Sequence, residues 1–109
     1  MVSPFSHSLF AERHAVDRDA LLKALRETRA LLARPENNFD WSSWRDGEAA
    51  LREIDALIAA VCNGAVPEPK HVALLFAPTG PIQEVSLSSG WGEIFLELAE
   101  RVDAATRQS

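Results

Sequence analysis

Six apolar residues in a row, Val72 to Ala77, lie between two proline pairs, Pro67 and Pro69 before them and Pro78 and Pro81 after them. A proline fixes its own φ, lacks an amide proton and biases the residue before it away from helix. Val66-Pro67-Glu68-Pro69 is therefore expected to be an extended connector, and Pro78-Thr79-Gly80-Pro81 a turn. Between them His71 to Ala77 reads as a strand that is apolar on both faces and must be covered on both. After the turn, Ile82 to Ser88 alternates, with Gln83, Val85 and Leu87 on one side and Glu84 and Ser86 on the other, the pattern of a half-wet strand. An antiparallel β-hairpin over residues 70–89 follows from this reading. Two strands rarely make an independent sheet, so helices or a second copy of the chain must cover the hairpin.

Helical periodicity supplies the helices. Leu21, Leu25, Thr28 and Leu32 recur at steps of three and four, with Asp17 as the expected N-cap and Pro35 as the stop, which predicts a helix over about 18–34. Ala50, Leu51, Ile54, Leu57, Ile58 and Val61 form the apolar face of a second helix ending at Asn63-Gly64, with Asp40 or Ser43 as its cap. Gly47 is unfavourable inside a helix by about 1 kcal/mol relative to alanine, which allows a start later than Trp44. Trp91, Phe95, Leu98, Val102 and Ala105 mark a third helix over about 91–106, with Ile94 widening its stripe. The expected architecture is α+β in the order α-α-β-β-α: an irregular N-terminal arm over 1–16, then one compact α+β domain over 17–109. A chain of 109 residues is long enough to bury a core without disulfides or metal. Cys62, the single cysteine, follows Ala60 and Val61 and is expected to be a buried helical thiol.

Net charge is −5, which disfavours nucleic acid as a partner because a phosphate backbone would be repelled. The sign is uneven along the chain. Residues 13–34 carry six basic and three acidic side chains, whereas residues 35–109 carry five basic and twelve acidic ones. No apolar run is long enough to span a bilayer and the first residues lack the pattern of a secretion signal, so a cytoplasmic location with no membrane contact is expected.

Two segments could hold a ligand. Ser88, Ser89, Gly90 and Trp91, with Gly92 and Glu93, form a strand-to-helix junction in which glycines admit a close approach and free helix amides attract an anion. The junction lacks the GxGxxG spacing of a dinucleotide site and the lysine of a Walker loop. Trp41, Trp44 and Arg45 stand in a serine-rich stretch, and aromatics beside arginine are over-represented at binding hot spots. The plainer roles are a cap from Ser89 or Gly90, core packing for Trp91, and a hydrophobic staple between Phe39 and Trp44. Convergence of Trp41, Trp44, Trp91, Ser88 and Ser89 on one open pocket would favour a ligand.

Catalytic and metal sets are poor. His7, His14 and His71 have no metal-binding spacing, no second cysteine exists, and no nucleophile elbow places a serine, so neither catalytic residues, metal nor cofactor is expected. Glu93, Glu97, Glu100 and Asp103 are most simply a solvated helix face. The function expected is a non-enzymatic protein–protein interaction or regulatory domain that meets a basic protein partner, in the manner of immunity proteins and antitoxins of this size by analogy only, or that pairs as a homodimer through its strand edges. The alternative is a small-molecule anion-binding or small catalytic domain using the 88–93 junction, with Arg45 as counter-ion.

Overall fold

Helical spacing governs this chain even where its sequence alternates. The computed structural model describes residues 17–64, 69–78 and 80–107; the arm expected over 1–16 and most of the proline connector lie outside them. Five helices are present among these residues and no strand: α1 (Arg18–Leu32), α2 (Gly47–Cys62), α3 (Pro69–Leu75), α4 (Pro81–Ser89) and α5 (Gly92–Arg107). The α+β expectation is thus corrected to an all-helical fold. None of these helices is long and apolar enough to cross a membrane.

The expected hairpin is α3 and α4, and the prolines explain the difference. A proline at the first helical position gives up an amide proton that has no intrahelical acceptor anyway, and its fixed φ suits the helix. Pro69 opens α3 and Pro81 opens α4, so both start elements that they were expected to exclude. Val72, Leu75 and Phe76 are buried in the first segment, and Ile82, Val85 and Ser86 in the second. Each set has the i, i+3, i+4 spacing of one helix face. Leu74 and Leu87, inward-facing in a strand, are exposed. With no strand edge among the described residues, the ground given for edge-to-edge dimer pairing is removed.

Three long helices form the body. α1 packs against both α2 and α5, and α4 lies on α5. Leu21, Ala24 and Leu25 of α1, Ile54 of α2 and Phe95 and Leu98 of α5 are almost wholly shielded from solvent. Phe76, just after α3, stacks on Phe95 with ring centroids 6.4 Å apart and planes 5° from parallel, which joins the short-helix layer to the body. The buried hydroxyls are bonded within their own helices: Thr28 Oγ1 donates to the Ala24 carbonyl at 2.8 Å and Ser86 Oγ to that of Gln83 at 2.8 Å.

Asp17 caps α1, accepting the Ala20 amide proton at 3.1 Å, as expected. Asp46, rather than Asp40 or Ser43, caps α2 through the Ala49 amide at 2.9 Å. Gly47 is then the first residue of α2, where its flexibility has little effect on the helix interior. Cys62 is exposed rather than buried: it ends α2, and Arg26 Nη2 donates to its Sγ at 3.3 Å.

Two exposed ion pairs join the body helices. Arg29 of α1 donates to Asp55 of α2 from Nε and Nη2, and Arg101 of α5 donates to both carboxylate oxygens of Glu27 of α1 at 2.7 and 2.9 Å. The hydrogen bond from Arg101 holds the Glu27 carboxyl below its ordinary value of 4.5, and that from Arg29 holds Asp55 below 3.8. A depressed folded-state pKa contributes stability that is present above the unfolded value and is lost as pH falls through the folded one. Wild type is therefore expected to be slightly more stable than Glu27→Gln at neutral pH, with the gap in urea midpoint closing below the ordinary carboxyl range. A gap of constant size down to strong acid would contradict the pairing.

Candidate functional site

The segment between α1 and α2 is fastened to the rest of the chain by side-chain hydrogen bonds, in which three residues that the sequence marks as binding candidates, Trp44, Ser89 and Trp91, take part. Trp91 Nε1 donates to Asn37 Oδ1 at 3.0 Å, and Asn37 Nδ2 donates to the Leu31 carbonyl at 2.7 Å. Ser89 Oγ accepts the Asn38 amide proton at 2.9 Å, and Glu84 Oε1 accepts that of Ser43 at 3.2 Å. Trp44 Nε1 donates to Glu53 Oε1 at 2.8 Å, and the other oxygen of Glu53 lies 3.2 Å from His71 Nε2. These bonds tie the 37–44 loop to α4, to the α4–α5 junction and, through Glu53, to α2 and α3. A buried indole needs a partner for its N–H, and Trp44 and Trp91 both have one.

The remaining candidates are spread apart. Trp41 is 75% exposed, Arg45 is exposed, and Ser88 is half-buried on α4. Gly90 closes α4 with φ of 88°, the left-handed conformation that glycine adopts without penalty. Ser89 and Trp91 are thus brought to the same loop as Trp44, but as internal fastenings; Trp41 and Arg45 face solvent. Iodide is accordingly expected to quench one tryptophan component strongly and to leave a protected one. Trp41→Phe should remove the quenchable component, and uniform quenching of all emission would contradict the burial of Trp44 and Trp91.

Open apolar volume lies beside this loop, along α5. One cavity of about 530 Å³ is bounded by Leu87 of α4, the junction residues Gly90 and Trp91, and Glu93, Ile94 and Leu96 of α5. A second, also about 530 Å³, runs between α3 and α5 with Val72, Ala73 and Phe76 on one wall and Leu96, Ala99 and Val102 on the other. Leu96 lines both and is 58% exposed. Both open to solvent on one side, so together they make a groove with a single leucine between its halves.

Among the described residues the charge lining the groove has one sign. Glu93 stands in the first cavity, Glu100 and Asp103 in the second, and no lysine or arginine lines either one among the described residues. A third depression, about 480 Å³ beside Leu22 and Ala30 of α1, differs: both signs line it, with Lys23 and Arg26 alongside Asp19 and Glu27. The 88–93 junction therefore borders a pocket whose single ionisable lining group is a carboxylate, a poor setting for an anion. No group of three or more His, Cys, Asp or Glu residues that could hold a metal ion occurs among the described residues.

Sequence reasoning missed this groove because it needs α3 in place. One signal was available. Leu96 falls outside the Trp91, Phe95, Leu98, Val102, Ala105 stripe and so could not belong to the buried face of its helix. Comparison with family models, with curated proteins and with solved structures finds no match.

Proposed function

We propose that this chain is a non-enzymatic interaction domain that binds a protein partner through the outer face of α5 and the adjoining surfaces of α3 and α4. The observation that carries the reading is Leu96, a large apolar side chain held more than half exposed between two open apolar cavities. Single exposed leucines are ordinary; an exposed leucine joined to Leu87 and Ile94 on one side and to Ala73 and Phe76 on the other is a continuous apolar surface. The floor is built on the packed interior, since Val72, Phe76 and Val102 belong to the core. A preformed site of this kind binds without first paying to order itself.

Position-specific photo-crosslinking tests the reading. A photoreactive residue at 96 is expected to trap a discrete protein band in the source cells, and the same residue at exposed Arg52 of α2 is expected not to. Leu96→Glu should remove co-purification of that protein, a loss of about 2 kcal/mol or more in binding, as for a central anchor at an interface. Equal labelling from positions 96 and 52, or co-purification indifferent to Leu96→Glu, would overturn it.

A further inference from the structure

We infer that the occupant of this groove is a cationic amphipathic helix, leucine-like on one face with lysine or arginine flanking it; the inference rests on the interaction reading above and names its partner. On α5 the residues Glu93, Leu96 and Glu100 are spaced three and four apart, which puts them on one side of the helix. All three line the two cavities. A carboxylate therefore stands about one turn to either side of Leu96. The arginine of this stretch, Arg101, is directed to α1, where it holds Glu27 through two hydrogen bonds of 2.7 and 2.9 Å. Apolar floor and carboxylate rim together select a partner that offers both apolar surface and positive charge.

The shape of the groove favours a helix as that partner. Helices wall it throughout, α4 and α5 around the first cavity and α3 and α5 around the second, and the described residues contain no sheet edge that an extended peptide could join. From Glu93 to Thr106 the wall of α5 runs about 20 Å at the 1.5 Å rise of a helix, enough to seat roughly thirteen residues of a second helix. A second copy of this chain fits poorly. A symmetric pair would set Glu93 and Glu100 of one copy against the same carboxylates of the other, in a chain that already carries −5. An anionic bilayer fits no better, because those carboxylates would repel its surface.

Three synthetic helices that share one leucine stripe and differ on the other face, bearing lysine, glutamine or glutamate, test the inference by fluorescence anisotropy against the full chain. The lysine helix is expected to bind tightest and to weaken as salt is raised. Leu96→Glu should weaken it by about tenfold or more. That substitution adds a negative charge, so diffuse attraction between a basic peptide and an acidic protein would instead tighten binding. Glu93→Gln with Glu100→Gln should weaken binding several-fold and flatten its salt dependence, whereas Glu48→Gln at the start of α2 should leave both unchanged. Circular dichroism melts confirm that the variants are folded, and Leu96→Gln serves if Leu96→Glu is not.

Binding of the glutamine or glutamate helix that equals the lysine helix and depends on Leu96 would overturn the charge inference and leave the docking face standing. Lysine-helix binding unaffected or tightened by Leu96→Glu would overturn the groove as its seat. Self-association of the full chain that Leu96→Glu abolishes would put a second copy there, and capture by anionic vesicles in place of the lysine helix would make the occupant a membrane; either result overturns the inference.

Discussion

Phe95→Ala is expected to lower the unfolding free energy by about 3–5 kcal/mol, the range for removing a phenyl ring from a packed interior. The ring is almost fully shielded and lies parallel to Phe76, so its removal takes away both its own burial and the stacking face of its neighbour. Aromatic pairs add about 0.5–1.5 kcal/mol beyond area. A domain of this size is stable by about 5–15 kcal/mol in total, so roughly a fifth or more of that margin would go. Thermal melting should fall by roughly 10–20 °C. Phe95→Leu keeps most of the volume and should lose clearly less. Since Phe76 also walls the groove, Phe95→Ala should weaken partner binding along with stability. A melt within a few degrees of wild type would show that the short-helix layer is not held by this pair.

Gly80→Ala is expected to destabilise by about 2–3 kcal/mol, the upper part of the range for overpacking a tight site. The backbone at Gly80 is extended, with φ of −85° and ψ of 175°, which any residue adopts. The constraint is steric: a Cβ at this position would lie 2.5 Å from the Leu74 carbonyl oxygen, 3.1 Å from that of Leu75 and 3.2 Å from that of Ala77. Those carbonyls belong to the end of α3 and the turn after it, and backbone oxygens cannot swing aside as a side chain can. The start of α4 would have to separate from the end of α3. Gly90→Ala provides the contrast. Nothing lies within 4 Å of its Cβ position, yet its φ of 88° makes an alanine there unfavourable by about 1–2 kcal/mol. Urea denaturation measures both losses, and Gly80→Ala is expected to show the larger. Wild-type stability in Gly80→Ala would contradict the helix–turn–helix geometry.

These two positions also mark what was legible in the letters. The long helices were, because fifteen or sixteen residues give an apolar stripe enough turns to repeat, as Leu21, Leu25, Thr28 and Leu32 do in α1. α3 has seven residues and α4 nine, about two turns each, and over that length a helical face and an alternating one differ by a residue or two. Val85 satisfies both patterns; Ser86 and Leu87 decide between them, and they do so against hydropathy, with the serine buried and the leucine exposed. Ser86 can be buried because its hydroxyl finds the Gln83 carbonyl within the same helix. Pro69 and Pro81 carried the right signal for a boundary and the opposite sense for what begins there. At the candidate site, the sequence marks Ser89 and Trp91 but does not show their partners: the Ser89 hydroxyl accepts the Asn38 amide proton and the Trp91 indole donates to Asn37. The groove itself takes its walls from three separate helices, α3, α4 and α5, so it was not legible before α3 had a helical shape.

The account rests on the outer face of α5 being the working surface, and amide chemical-shift mapping of the labelled full chain during titration with the lysine helix tests this most directly. The predicted result is a set of saturable shifts centred on Leu96, extending to Ala73 and Ala99 on one side and Leu87 and Ile94 on the other, with α2 unmoved. Shifts centred on the depression beside Leu22 of α1, or spread evenly over the acidic surface, would contradict it.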